Sequence, residues 1–277
     1  MNAILTAVLL TLLSALAQPA LAQSPPATVE VHEFTVTGNT LLPASSLQAA
    51  LAPFKGRRSL TELKQAAQAV QDLYARAGYG GVVAYLPEQA GPAGSATIAV
   101  LEGRISQVTV SGNKQFSEAN IRRSLPLLTE GQTPQVLRID AQIQQANENP
   151  AKQVAGSLEP GKSQGEVNVS INVQELPASR WTLNADNTGN ERTGRWRSTL
   201  GYSNAALWDL DHSLNLQFQT APEKLDAVRV FSAGYRIPLY DWGASLDLFA
   251  AYSNVDGGSS STVAGPLQFS GKGRVLG

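Results

Sequence analysis

The sequence predicts two small α+β units in tandem, each of the order β-α-α-β-β, followed by the first strands of an antiparallel transmembrane β-barrel. Two observations carry that expectation. The strand ending Val36-Thr37-Gly38-Asn39 is echoed by Val108-Thr109-Val110-Ser111-Gly112-Asn113, and similar helix and strand signals follow each copy. From Arg180 onward the chain breaks into stretches of about ten residues that alternate apolar and polar side chains. A strand with one face in lipid and the other in a wet lumen needs that two-residue period, with Trp and Tyr at the membrane interfaces. All four tryptophans lie in this last third.

At the N-terminus, Ala3 to Leu16 is an apolar run too short to span a bilayer as a helix, and Ala20-Leu21-Ala22 is a small-x-small cleavage pattern. Residues 1–22 are expected to be a signal peptide, although its only positive charge is the α-amino group, and 23–28 a linker. No later segment reaches 18 consecutive apolar residues, so any membrane span must be made of strands. The 277 residues carry a formal net charge of −1 and no cysteine. Near neutrality argues against nucleic acid as a partner, and the lack of Cys excludes disulfides, thiolate metal sites and thiol nucleophiles. The two histidines, His32 and His212, sit in distant strand-like runs and make no metal or catalytic pair.

The first unit is expected over 29–103. It opens with a strand from Val29 to Val36, then a short helix from about Pro43 to Leu51. Ser59-Leu60-Thr61-Glu62 is a capping box for a longer helix whose apolar face is Leu63, Ala66, Ala67, Val70, Leu73 and Tyr74, with Gly78 as its stop. Strands from Gly81 to Leu86 and Ala96 to Leu101 close it. The second unit, 104–177, repeats the order: a short helix from Ser117 to Leu125, a longer one from Val136 to Ala146, and strands over 153–158 and 166–173. A three-stranded sheet in each leaves a free strand edge, which invites an extended peptide.

The barrel part is expected over 178–277, with strands at 180–187, 195–203, 213–220, 227–237 and 244–253 and a sixth from about Leu267. Trp181, Trp196, Tyr202, Trp208, Trp242 and Tyr252 are its membrane-interface aromatics. If the two α+β units lie in the periplasm, loops 188–194 and 254–265 face outside and the tight turn 238–242 faces the periplasm. Gly156-Ser-Leu-Glu-Pro-Gly161-Lys162-Ser163 fits a phosphate-loop pattern, but an alternating strand follows where a helix would have to start, so it reads as a hairpin turn. Asp209 and Asp211 read as turn residues. Arg180, Arg192, Arg195 and Arg197 cluster at the first hairpin and could meet lipopolysaccharide phosphates or the lumen. The lumen is favoured for those alternating with Trp196 and Leu200. No catalytic, metal or cofactor site is expected.

Several stretches together resemble the outer-membrane transporters of two-partner secretion, the haemolysin-activator and filamentous-haemagglutinin-transporter group of the Omp85 superfamily. They are Val36-Thr-Gly-Asn-Thr-Leu-Leu-Pro43, Tyr79-Gly80, Leu86-Pro87-Glu88-Gln89 and Leu101-Glu102-Gly103-Arg104-Ile105, then Leu158-Glu159-Pro160-Gly161. In the last third come Asp186-Asn187-Thr188-Gly189, Thr193-Gly194-Arg195, Tyr235-Arg-Ile-Pro-Leu239 and Ser270-Gly271-Lys272-Gly273. The resemblance implies that the two units are periplasmic POTRA domains that bind a large exported protein while it is unfolded. The partner then passes through the barrel to the cell surface without nucleotide. Outer-membrane lipid and lipopolysaccharide are the other partners. Element position singles out Val70, Tyr74, Val82, Val83 and Tyr85 in the first unit and Ile139, Ile143, Val154 and Leu158 in the second as partner-binding residues.

The family's barrel has sixteen strands, so the chain reads as a fragment of a longer protein or a truncated product, without the family's lumen-entering loop motif. There is also no room for an N-terminal plug helix. Three rival readings exist: a barrel-assembly factor of the same superfamily, a soluble periplasmic peptide-binding module, and an exported enzyme.

Overall fold

The computed structural model describes residues 28–88, 94–262 and 265–277. The expected signal peptide, the linker before Thr28 and Gln89 lie outside the described residues.

The first unit opens differently from expectation. In place of one strand there are two, β1 (Thr28–Val31) and β2 (Glu33–Thr37). Val31 and Phe34 are both buried, and a spacing of three cannot put both on one face of a continuous strand. The chain therefore rotates at His32. β1 leaves the main sheet and pairs antiparallel with β3 (Gly56–Ser59), Val29 opposite Arg58. Helix α1 (Ala44–Leu51) follows β2, and α2 (Leu60–Arg76) follows β3. Ser59 caps α2 as expected: its Oγ accepts from the Glu62 amide while Glu62 accepts from the Ser59 amide at 2.8 Å. Two further strands, β4 (Val82–Tyr85) and β5 (Ser95–Glu102), complete a sheet of order β2-β5-β4, with β5 parallel to β2 and antiparallel to β4. Phe34, Leu47, Leu51 and Ile98 pack under the buried face of α2, Leu63, Ala66, Ala67, Val70 and Tyr74.

The second unit repeats the plan with β6 (Arg104–Ser111), α3 (Glu118–Ser124), α4 (Val136–Ala146), β7 (Lys152–Pro160) and β8 (Glu166–Glu175), in sheet order β6-β8-β7. The phosphate-loop look-alike is the β7–β8 hairpin: the Gly161 amide donates to the Glu166 carbonyl at 2.8 Å, and strand follows. The two units meet without a free tether. The Gly80 amide donates to the Pro134 carbonyl at 2.9 Å and that of Arg104 to Gly165 at 2.8 Å. A Cβ on Gly80 would lie 2.5 Å from Val136 Cγ2, so any larger residue would push the Val136 side chain out of the junction.

The repeated Gly-Asn has one structural cause in both units. Gly38 and Gly112 hold φ of 78° and 84° at the corner after the first sheet strand. A Cβ there would stand 2.1 Å and 2.2 Å from the carbonyl oxygens of Val100 and Val173 on the central strand. That strand ends in an acid, Glu102 or Glu175, which receives the amides of the corner. Glu102 accepts from the amides of Thr40 and Leu41, the Thr40 hydroxyl and the Tyr74 hydroxyl, while Glu175 accepts from the amides of Lys114, Gln115 and Phe116. Burial pushes both carboxyls up, but these donors outweigh it and hold both below the ordinary 4.5. A carboxyl depressed in the folded state contributes stability that is present above its unfolded value and lost as pH falls through the folded one. The part of the free energy of denaturant unfolding that these two carboxyls contribute is therefore expected to be complete above about pH 5 and to be lost below about 4.5. Glu102→Gln should reduce that acid slope; an unchanged slope would refute the assignment.

The last third is an antiparallel meander of six strands in sequence order: β9 (Ser179–Asp186), β10 (Arg197–Leu207), β11 (His212–Thr220), β12 (Val228–Leu239), β13 (Ala244–Thr262) and β14 (Gly265–Leu276). It is an open sheet with edges at β9 and β14. β13 runs further than the expected 244–253. A register shift between Asp256 and Ser259 lets the Gly- and Ser-rich stretch, expected to be loop, continue as a hairpin arm.

Candidate docking edges and pore mouth

In both β-α-α-β-β units the strand order leaves two outer strands rather than one, and β4 and β7 lie beside the longer helix. Neither edge is bare. The Ala84 amide of β4 donates to Gln71 Oε1 of α2 at 3.2 Å. On β7, Asn147 at the end of α4 takes the Val154 amide on its Oδ1 at 2.6 Å and gives its Nδ2 to the Val154 carbonyl at 3.0 Å. One side-chain amide thus makes both hydrogen bonds that an added strand would make at that residue.

The structure separates the expected partner-binding residues into two groups. Val83, Tyr85 and Leu158 are exposed. Val70, Tyr74, Val82, Ile139 and Val154 are buried, so their side chains cannot touch a docked chain, while Ile143 is half-buried and keeps part of its side chain accessible. The reason is phase: these positions point from helix and strand into the space between them, and they shape the edge without presenting themselves. The backbone of Val154 meets a docked chain only if Asn147 gives up both of its hydrogen bonds there.

The second unit is locked onto the sheet by a buried polar joint that the sequence did not suggest. The β10–β11 turn carries Trp208, Asp209 and Asp211, all with positive φ, and inserts against α3 and β7. Lys152 Nζ lies 2.6 Å from Asp211 Oδ2, with side chains 0% and 1% exposed. Around this pair, Lys152 also donates to Asn120 Oδ1 at 2.8 Å, Asn149 to Asp211 at 3.2 Å, and the Tyr240 hydroxyl to Asp211 at 2.7 Å. Asp209 accepts from the Ser117 amide at 3.1 Å and from its hydroxyl. Burial pulls the Lys152 ammonium below the usual lysine range, with the Asp211 carboxylate opposing it. Ala205 and Tyr240 of the meander are part of the second unit's apolar core. The turn chemistry expected of Asp209 is present, and Asp211 does more.

Beside this joint a cavity of about 480 Å³ opens between the second unit and the base of the sheet, its rim including Pro150, Ala151, Arg180 and Phe249. Arg236 crosses it, bonding Asp247 through Nε at 2.6 Å and Nη2 at 3.1 Å and reaching Glu148 of the second unit at 3.3 Å. The register puts Arg236 on one face with Thr182, Thr199, Gly201, Gln217 and Ser232, a wall of small and uncharged polar groups. The opposite face carries Leu183, Leu200, Phe218 and Phe231 in register, much of it exposed. Arg180 lies on the polar face. Arg197 is tied into its own loop by Thr193 Oγ1 and the Gly194 carbonyl, and Arg195 pairs with Glu191.

Trp181 and Tyr202 meet on the apolar face with ring centres 4.6 Å apart and planes tilted by 45°, and Tyr252 lies there beside Phe231. Trp208 and Trp242 project from the two turns next to the second unit, 74% and 80% exposed, while Trp196 precedes β10 at the far end.

Residues 29–103 match the family described as POTRA domain, ShlB-type, and residues 165–274 match haemolysin secretion/activation protein ShlB/FhaC/HecB. The chain is 26% identical over 216 residues to the outer membrane transporter CdiB of Escherichia coli, covering 75% of this chain and 36% of that protein. It is 26% identical over 162 residues to the heme/hemopexin transporter protein HuxB of Haemophilus influenzae, covering 57% and 28%. Its fold matches the solved structure of CdiB from Escherichia coli with a TM-score of 0.77 at 21% identity, over 93% of this chain and 47% of that one. For CdiB from Acinetobacter baumannii the TM-score is 0.59 at 18% identity, over 90% and 51%. The chain thus spans about a third of the length of the curated relatives it matches.

Proposed function

We propose, from the premise that residues 29–103 are a ShlB-type POTRA domain and residues 165–274 belong to the haemolysin secretion/activation family ShlB/FhaC/HecB, that this chain is the receptor and entry portion of an outer-membrane transporter for a secreted protein. Residues 29–103 and 104–177 act as two periplasmic receptor units, 178–277 as part of the lipid-embedded barrel, and 1–22 as the export signal. The partner is a large exoprotein that arrives unfolded. It adds as a strand at the β4 and β7 edges, where backbone hydrogen bonding accepts many sequences, and Val83, Tyr85 and Leu158 supply apolar contact. Outer-membrane lipid is the second partner. The work is transport without a nucleotide, cofactor or catalytic step.

One observation carries this reading. β7 starts at Lys152, immediately after the Pro150 and Ala151 that line the mouth, so a chain lying along its edge is led to the polar face of the sheet. In cells producing the full-length protein, deletion of residues 28–103 is expected to abolish export of the partner while the barrel still inserts, read as heat-shifted gel migration. Export that persists would overturn the receptor role.

A further inference from the structure

Resting on that membrane reading, we infer that the outer rim of the apolar face is a binding site for the phosphate groups of the phosphorylated glycolipid of the outer leaflet. Register places Thr220, Arg229, Asn254 and Lys272 in one row across β11 to β14, and Phe218, Phe231, Tyr252 and Arg274 in the next row toward the middle. Both rows share the face of Leu183 and Leu200. The second row is an aromatic band: Phe218 stacks on Phe231 at 4.6 Å, and the Arg274 guanidinium sits 5.9 Å from the centre of the Tyr252 ring.

The height of these rows follows from strand geometry. The receptor units hold the His212 end of β11 on the periplasmic side, and Thr220 is the last residue at the other end. At about 3.3 Å per residue and a tilt of about 40°, the strand rises roughly 20 Å between them, most of the apolar band of an outer-membrane barrel. The Arg229 and Lys272 row therefore lies where hydrocarbon gives way to headgroups. Cations aimed at lipid are costly at the midplane and nearly free at this border.

Arg229, Lys272 and Arg274 are all exposed. With strands about 4.8 Å apart, the backbones of Arg229 and Lys272 stand about 10 Å apart, and Arg274 follows about 7 Å along β14. Asp226 pairs with Arg229, but at 92% exposure it is a counter-charge that a phosphate can displace. Asp256, also exposed, stands one row farther out, opposite Ser270. A lipid phosphate offers acceptors to both guanidinium forks and to the ammonium. Its acyl chains would lie below, on Phe218, Phe231 and Leu216. A soluble phosphate would gain nothing from that apolar row.

The test uses the full-length protein in detergent and two probes, bisphosphorylated lipid A and its dephosphorylated form, with binding read by native mass spectrometry. The dephosphorylated lipid is expected to bind at least tenfold more weakly, and the triple variant Arg229→Gln, Lys272→Gln, Arg274→Gln to lose that preference. Equal binding of the two lipids by the unaltered protein overturns the proposal, even if the variant fails to fold. So does equal retention on phosphatidylglycerol vesicles, which would mean attraction to any anionic surface. Flotation with neutral vesicles separates the two levels: a protein that floats but does not discriminate loses this site only, and one that does not float loses the membrane reading as well.

Discussion

Replacing Asp211 by alanine is expected to destabilise the protein by about 3–5 kcal/mol, the largest single effect of any polar substitution in it. Lys152 and Asp211 are both sealed from solvent, and Asp211 serves Lys152, Asn149 and Tyr240 at once. Removing the carboxylate leaves a buried ammonium held at close range by Asn120 Oδ1 and the face of the Phe116 ring, 4.9 Å from its centre, with no paired charge. Burial already pulls Lys152 down, and without the opposing attraction it would lose its proton before remaining buried as a cation. The control is the double variant Lys152→Met, Asp211→Leu. Exchanging a buried pair for apolar groups of similar size is often neutral, so it should recover most of the loss in denaturant unfolding. A single replacement that costs under about 1 kcal/mol would show that water reaches the joint. If the double variant is stable but export fails, the joint orients the receptor units on the sheet rather than merely holding them together.

Alanine at Gly38 or at Gly112 is expected to cost roughly 2–5 kcal/mol, summing left-handed backbone strain with overpacking. The added carbon would stand closer than any relaxed contact to a carbonyl oxygen of the central strand, and backbone there cannot yield without breaking the ladder. Because the corner also delivers its amides to Glu102 or Glu175, moving it would strand those donors. Thermal unfolding of each variant measures the effect. Gly131, also at positive φ but with open space around its missing side chain, is the comparison that isolates strain, and Gly131→Ala should cost about 1–2 kcal/mol. Equal losses at all three would remove crowding from the explanation.

What could be read from the sequence was local or periodic. Ser59 and Glu62 are three residues apart and signal their own capping box. The alternation after Arg180 announces strands because a pleat has a fixed period. The break at His32 was also legible, since two large apolar residues three apart, Val31 and Phe34, contradict a continuous strand. Element position, which points to docking residues, carries no phase, and adjacent residues such as Val82 and Val83 cannot both face out. The Lys152–Asp211 joint left no signal at all. Its members are 59 residues apart, and neither a strand-initial lysine nor an aspartate in a turn is unusual until the fold brings them together.

Gln71 and Asn147 have a consequence for the strand borders when nothing is docked on them. Unpaired strand borders in a crowded compartment are templates for zipping one molecule to its neighbour, the first step toward fibrils. A short amide arm, tethered beside the border it shields, competes with any such neighbour at no cost in diffusion yet yields to a ligand that brings a whole ribbon of contacts. The two β-α-α-β-β units thus carry their own guard against sticking to copies of themselves.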